Sequence, residues 1–312
     1  MNIAIIALVA LIDIAWIGFT GFEFVLSSLK APLISIAVCS IIAIVARQYG
    51  LHLVHSLALP LALIFAIWPT KLIFSYLMIS ANLPLQDTLL ASIDTWLGFD
   101  WFWYLKFSNE HPAWSAVMHY AYLNYFILSF LTLFFLVLIE SKQNVTKYTL
   151  AISLSLLATV ILGTLIPAGG AYYHFAPDAA LYAGITPRTA YTYMDDLDKL
   201  RDGTFTLIHL DKLKGLITFP SFHTILPVLT VIALYNANKI AAALAFPFAL
   251  MVVLSCPIEG GHYFIDIVAG FAIAALSWAA TTALLKREAW KLSFGSDDRI
   301  EAPGTITVSS SQ

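Results

Sequence analysis

Charged residues are scarce in this sequence. Lys, Arg, Asp and Glu together make up 11% of the 312 residues, whereas hydrophobic residues make up 60%. Because soluble globular domains carry roughly 25% charged residues, the composition excludes a soluble domain and predicts a membrane-embedded, polytopic protein. The sequence also lacks a long basic patch, so we expect no nucleic-acid partner.

Cysteine is nearly absent as well. The two cysteines, Cys39 and Cys256, lie in or beside apolar segments, so no disulfide framework is predicted. The chain has no internal repeat, no Gly-rich nucleotide loop, and no paired CxxC or HExxH spacing that would predict a metal site. The apolar N-terminus lacks a basic segment and a clear cleavage site, which favours a retained first span over a signal peptide.

Long apolar runs are what the chain has instead. A helix that crosses a bilayer needs about 20 mostly apolar residues. We therefore predict an all-α polytopic membrane bundle with about eight transmembrane helices. The predicted spans are 3–21, 32–47, 56–80, 115–139, 148–167, 222–236, 240–256 and 262–285.

The distribution of Lys and Arg between short loops predicts the orientation. Such residues are enriched in cytoplasmic loops, and this rule puts both termini in the cytoplasm. The basic residues that then lie inside are Arg47, Lys142, Lys147, Lys239, Lys286, Arg287 and Lys291. His223 and His262, at the starts of the sixth and eighth spans, would face the periplasm, lumen or exterior.

Three segments are not predicted to span. Residues 85–112 are rich in Trp and Tyr, which prefer the headgroup level, so we expect a helix lying in the membrane interface. Residues 168–220 form the only long polar stretch, and we expect a lid or headgroup pocket rather than an idle loop. Residues 291–312 are predicted to be a disordered cytoplasmic tail.

Two short motifs bracket one predicted helical hairpin, formed by spans 222–236 and 240–256. The first is Pro220-Ser221-Phe222-His223; the second runs from His262 to Asp266. On a helix, positions four apart share a face, so Asp266 could fix the tautomer of His262 and leave its other nitrogen free to attack. Unpaired N–H groups beside His223 would suit an anion such as phosphate.

Each half alone is equally consistent with a satisfied core histidine or an ordinary intramembrane hydrogen bond. The two halves together favour a catalytic site, with a nucleophile, its orienter, a second histidine for acid–base work and an anion cradle.

These residues resemble the motifs of a known family. Pro220-Ser221-Phe222-His223 is similar to the Pro-Ser-Gly-His motif of the type 2 phosphatidic acid phosphatase superfamily, and His262 to Asp266 is similar to its His-x-x-x-Asp motif. The Phe-Pro-Ser-x-His form and the segment Leu97-Gly98-Phe99-Asp100-Trp101 look closest to the inositol phosphorylceramide synthase-like branch. The resemblance covers roughly residues 56–285.

The resemblance implies a domain organisation. Residues 1–55 would hold two additional N-terminal transmembrane helices. Residues 56–290 would form the phosphatase-like catalytic membrane domain with a six-helix core, including the interfacial segment 85–112 and the extracytoplasmic loop 168–220.

The resemblance also implies roles for individual residues. His262 would attack phosphorus to form a phosphohistidine, Asp266 would orient it, and His223 would protonate the leaving oxygen and then activate water or an alcohol. Ser221 and nearby N–H groups would hold the phosphoryl oxygens. The substrate would be a phosphate-bearing lipid, and no metal or cofactor is implied.

The chain departs from the family pattern in its cations. The family's first motif, a lysine, six intervening residues and then Arg-Pro, is absent, and Cys256 stands where the third motif usually has an arginine. A phosphoryl site still needs cationic donors. The sequence offers Arg201, Lys199 and Arg188 for this role and, for a headgroup pocket, Glu259, Tyr172, Tyr173 and His174.

Three functions remain open at this point. With water as acceptor the protein would be a lipid phosphatase. With a lipid hydroxyl it would be a phosphotransferase, for example of the inositolphosphotransferase type. A proton-coupled transporter that uses His262 and Asp266 as a relay and a catalytically dead scaffold are the alternatives of other classes.

Overall fold

The computed structural model describes residues 1–185, 187 and 191–294. Its helices are α1 Asn2–Thr20, α2 Lys30–Gln48, α3 His52–Ile79, α4 Asp87–Trp96, α5 Trp101–Glu110, α6 Pro112–Leu123, α7 Tyr125–Leu138, α8 Lys142–Leu165, α9 Ala171–Phe175, α10 Met194–Asp202, α11 Phe222–Ala237, α12 Lys239–Glu259 and α13 Phe264–Phe294. Three short 3-10 turns cover Leu26–Leu29, Ala179–Tyr182 and Leu210–Lys212.

The predicted polytopic helical fold is confirmed. In the part of the chain that the structure describes, six helical segments are long and apolar enough to cross a membrane, and the bent pair α6–α7 makes a possible seventh. The remaining predicted span, 222–236, corresponds to α11, which has only 16 residues. This helix is short because it starts directly after Pro220-Ser221 and stops at Asn238, whose side chain caps the next helix, α12, through the N–H groups of Ile240 and Ala241.

The predicted span 115–139 is not one straight helix. It breaks at Asn124, where α6 and α7 meet at 53°. The Asn124 side chain donates to the carbonyl oxygen of Tyr120 at 2.8 Å. Asn favours such local bonds over helix continuation, and the break brings Tyr122 and Tyr125 to the same end of the bundle, where the site lies.

A buried chain of hydroxyl groups joins the central helices. Tyr148 of α8 is fully buried, and its hydroxyl lies 2.6 Å from Ser129 Oγ of α7 and 2.7 Å from Thr230 Oγ1 of α11. Buried polar groups in an apolar bundle need such partners. These three hydroxyl groups therefore fix the register of α11, which carries His223, against α7 and α8.

Helices α11 and α13 approach closely at Gly270. A Cβ added there would lie 2.9 Å from both Ser221 O and Thr224 Cβ. Only glycine allows this approach, which sets the first turn of α11 against the second turn of α13. The start of each helix carries residues of one of the two sequence motifs.

One exception to the all-α prediction is a two-residue parallel pair. Strand β1, Glu23–Phe24, pairs with strand β2, Leu207–Ile208. Since β1 follows α1 and β2 lies in the long polar segment, the pair attaches that segment to the N-terminal helices.

The non-spanning segments are more structured than the sequence suggested. Residues 85–112 contain α4 and α5, and residues 168–220 contain α9, α10, β2 and two 3-10 turns. Helix α13 continues to Phe294; the remainder of the predicted tail, from 295 to 312, lies outside the described residues.

We expect Gly270→Val to lower the free energy of unfolding by about 1–3 kcal/mol, because the larger side chain must push α11 and α13 apart. Thermal unfolding in detergent would measure it. Gly18→Val is the matched control, since nothing lies within 4 Å of a Cβ at Gly18. Equal melting temperatures for the two variants would contradict the close approach.

Candidate active site

The two sequence motifs meet at one end of the bundle. His223 is the second residue of α11, and Asp266 lies in the first turn of α13. His262 was expected on the same helix as Asp266, but it lies in the connection before α13, which begins at Phe264. The expected pairing nevertheless forms, because His262 Nδ1 is 3.1 Å from Asp266 Oδ2.

Asp266 also caps the helix that carries it. Its Oδ2 accepts from the backbone N–H of Tyr263 at 3.0 Å. An acidic side chain at the third helical position that reaches back to the residue before the helix is one half of a capping box. The same carboxylate therefore starts α13 and holds the imidazole of His262.

Ser221 joins the two motifs. Its N–H donates to the carbonyl oxygen of Asp266 at 3.1 Å, and its Oγ lies 3.2 Å from His262 Nε2. If Nδ1 of His262 donates to Asp266, then Nε2 is the nitrogen with a lone pair. Cys256 fills the position next to Ser221, with its Sγ 3.7 Å from Ser221 Oγ.

His223 is held by aromatic rings. The Tyr122 ring stacks on it with centroids 4.2 Å apart, and the Tyr125 ring lies at 4.5 Å. Tyr122 OH is 3.3 Å from His223 Nδ1. The ring centroids of His223 and His262 are 6.1 Å apart, so the two imidazoles face a common space.

That space is a cavity of about 430 Å³ lined by both histidines. Its other lining residues are largely apolar or aromatic, but they include two lysines, Lys71 and Lys214. An apolar cleft of about 30 Å³ adjoins it, and Trp68, Phe126 and Phe222 line both spaces. A polar end joined to an apolar cleft fits an amphiphile better than a small hydrophilic solute.

The basic residues predicted from the sequence are not at this cavity. Lys199 is paired with Asp195 at 2.7 Å on the exposed face of α10. Arg201 donates to the carbonyl oxygen of Leu83 at 2.8 Å, also in an exposed position. Neither residue lines the cavity, and Arg188 lies outside the described residues. The sequence predicted that these residues lie on the same side of the membrane as the two histidines, but it could not predict whether they reach the cavity.

The four headgroup candidates also lie away from the cavity lining. Glu259 Oε2 is 2.9 Å from His119 Nδ1, and the Tyr172 ring meets the Trp101 ring edge-on at 4.9 Å. Tyr173 donates to Asp198 at 3.0 Å. The His174 ring lies 6.5 Å from that of Tyr263, the residue after His262, and none of the four residues lines the cavity.

Two acidic residues of α4, Asp87 and Asp94, support the site, and the motifs in the sequence did not identify either of them. Asp94 accepts from the N–H groups of Phe264 and Ile265 at 2.7 and 2.8 Å, which caps α13 from a separate helix. Burial raises the pKa of the Asp94 carboxyl above its ordinary value, while these two N–H groups act in the opposite direction.

Asp87 holds the backbone that precedes α9 and the side chain of Tyr263, the residue after His262. It accepts from the N–H groups of Gly169 and Gly170 at 3.0 and 2.9 Å and from Tyr263 OH at 2.9 Å. The available signal was spacing, because Asp87 and Asp94 are seven residues apart and so share one face of a helix.

Gly260 allows the His262 ring to sit where it does. A Cβ added at Gly260 would lie 2.6 Å from His262 Cδ2 and 2.8 Å from Tyr122 OH.

The described residues contain no group of three or more His, Cys, Asp or Glu side chains that could hold a metal ion.

The segment that contains both motifs matches a known protein family. The PAP2 superfamily matches residues 88–280, which is more than half of the 312 residues. No curated protein and no solved structure matches the chain. The family match does not distinguish the inositol phosphorylceramide synthase-like branch.

We expect Asp94→Ala to lower the free energy of unfolding by about 1–2 kcal/mol, through loss of a helix cap, and to reduce turnover as well, because the first turn of α13 carries Asp266. Thermal unfolding and phosphate release from a lipid phosphate would be measured together. Asp100→Ala is the control, since Asp100 caps α5 through Trp103 N. We expect that variant to lose stability only; equal losses of turnover would contradict a specific role for Asp94.

Proposed function

This chain belongs to the PAP2 superfamily, and from that premise we propose that it cleaves or transfers a phosphoryl-linked group of a membrane lipid through His262. The observation that carries the proposal is the double anchoring of His262. Asp266 binds Nδ1, while Nε2 lies beside Ser221 at the edge of a cavity that His223 also lines. An oriented nucleophile opposite a second imidazole is what nucleophilic catalysis at phosphorus requires.

The proposed first step breaks the bond between phosphorus and the leaving oxygen. The lone pair of His262 Nε2 attacks phosphorus and forms a P–N bond, while His223 gives its proton to the departing oxygen. Asp266 stabilises the positive charge that develops on the His262 ring. Ser221 and the first N–H groups of α11 are the proposed donors to the phosphoryl oxygens.

The second step returns the enzyme to its starting state. His223 takes a proton from water or from an alcohol, the resulting oxygen attacks phosphorus, and the P–N bond to His262 breaks. Water gives free phosphate and a lipid alcohol gives a new phosphorylated lipid. The substrate class is a phospholipid, a sphingolipid or a polyprenyl phosphate, and headgroup transfer of the inositolphosphotransferase type is the variant that the sequence motifs favour.

Two features support a lipid substrate at the outer face. The cavity is walled largely by aromatic and aliphatic side chains, and it adjoins the apolar cleft lined by α3, α7, α8 and α11. At the helix ends away from the histidines lie Arg47, Lys142, Lys147 and Lys239, as expected for a cytoplasmic side. We propose that the site opens on the extracytoplasmic side, with both termini in the cytoplasm.

We expect His262→Ala to abolish turnover, and His223→Ala to reduce it by at least about 100-fold, the lower end of the usual general acid–base contribution. Purified protein with lipids labelled at phosphorus would be assayed for product and for acid-labile label on the chain. His209→Ala is the matched control, because His209 lies in the long polar segment and does not line the cavity. Full turnover by both His262→Ala and His223→Ala would rule out the proposal.

The acceptor decides between hydrolysis and transfer. Because one phosphohistidine serves both, we expect an added lipid alcohol to lower the yield of free phosphate as a new phosphorylated lipid appears. Product analysis with and without the alcohol would measure this partition. Absence of either product across a broad lipid panel, together with proton-coupled flux in liposomes that Asp266→Asn abolishes, would favour the transporter instead.

A further inference from the structure

Lys71 is a charged residue inside an apolar helix. It lies in α3, eight residues before the end of that helix at Ile79, and its side chain is buried, with 8% exposure. Charged side chains in membrane-spanning helices are costly and are retained where they face a cavity and meet a partner. Lys71 also lies outside the segment that matches the PAP2 superfamily, which begins at residue 88.

The surroundings of Lys71 leave its charge uncompensated by carboxylates. Its Nζ lies 5.5 Å from the centre of the Trp68 ring and 5.6 Å from that of Phe222. Among the described residues, no Asp or Glu oxygen lies within ion-pair distance of it. Aromatic faces attract a cation weakly, so they hold the ammonium group in place without neutralising it.

Lys214 shows the contrast. It lines the same cavity, but its Nζ is 3.3 Å from Asp196 Oδ1, so its charge is already paired. Of the two lysines among the described residues that line the cavity, Lys71 is therefore the one whose charge is available to a ligand.

Its position suits an anion at the catalytic histidines. Phe222, which packs under the ammonium group, is the first residue of α11 and precedes His223. The N–H groups at the start of α11 have no partners within the helix. An anion in the cavity can thus meet a lysine from one wall and a helix N-terminus from the other, and lysine is a common point-charge ligand for phosphate.

Resting on the proposed function, we infer that Lys71 is the cation that binds the phosphate group of the substrate. It would take over the role for which the sequence offered Arg201, Lys199 and Arg188. The N-terminal part of the chain would then supply a substrate-binding residue to the site. The chemistry it recognises is a phosphate monoester or diester anion, whether on a lipid or free.

The test measures phosphate binding separately from turnover. Inorganic phosphate and a short-chain alkyl phosphate would be titrated at constant ionic strength into purified wild type, Lys71→Met, Lys71→Arg and the exposed-lysine control Lys106→Met, with thermal stabilisation as the readout. We expect the phosphate concentration for half-maximal stabilisation to rise by at least about tenfold in Lys71→Met, because the loss of a charge-assisted contact weakens binding by about this factor or more. In Lys71→Arg and Lys106→Met we expect it to stay within about threefold of the wild-type value, because the first keeps a positive charge in the cavity and the second changes only an exposed lysine.

A second signature separates binding from folding. Without added anion, Lys71→Met should melt no lower than wild type, because an apolar side chain replaces an unpaired charge in an apolar helix. With a lipid phosphate as substrate, its kcat/KM should fall by at least about 100-fold, a loss comparable to that of an anion-stabilising donor. Lys71→Arg should recover at least about a tenth of the wild-type value.

The outcomes distinguish this inference from the function on which it rests. Turnover by wild type that Lys71→Met leaves intact would overturn the inference and keep the function. Lys71-dependent phosphate binding without turnover on any lipid would support the anion site and reject the enzyme. A wild type that neither phosphate probe stabilises would overturn the role of Lys71.

Discussion

The arrangement of this site depends on Asp266. Its side chain accepts from His262 Nδ1 and from the N–H of Tyr263, and its main-chain carbonyl accepts from the N–H of Ser221. One residue therefore starts α13, orients the imidazole and joins the beginnings of two helices. A carboxylate buried at the end of an apolar bundle is costly unless it is hydrogen-bonded, and the two bonds that Oδ2 accepts offset part of that cost.

The elements around Asp266 have compensating features of their own. Gly270 lets α13 approach α11, and Gly260 leaves room for the His262 ring. Asp94 supplies acceptors to N–H groups of α13 that the helix itself cannot satisfy. The site is thus built from short-range contacts at helix ends, while the long apolar stretches mainly set the spacing between those ends.

The sequence predicted the features whose signal is local. Apolar length located the spanning helices, and four-residue spacing indicated that His262 and Asp266 could pair, as they do in the structure. The position of His223 after Pro220-Ser221 likewise indicated a helix start. The first inference needs only the composition of one apolar run of about 20 residues, and the other two need only residues within one helical turn of each other.

Features set by tertiary packing were not predictable in this way. Nothing local shows that Lys71, a single charge in a 28-residue apolar helix, lines the cavity while Arg201 turns outward. The same is true of Asp87 and Asp94, whose acceptor roles depend on where α4 lies against the His262 connection. The break at Asn124 was hidden because apolar residues continue on both sides of it.

The wall that α3 contributes to the cavity has a consequence for how this protein can be divided. The family match starts at residue 88, after Trp68, Lys71 and Leu72, all of which line the cavity. A chain shortened to the matched segment would also lose β1, the partner of β2. In this protein, the segment that matches the family is therefore shorter than the segment that forms the site. Helix α3, which precedes the match, is part of the site.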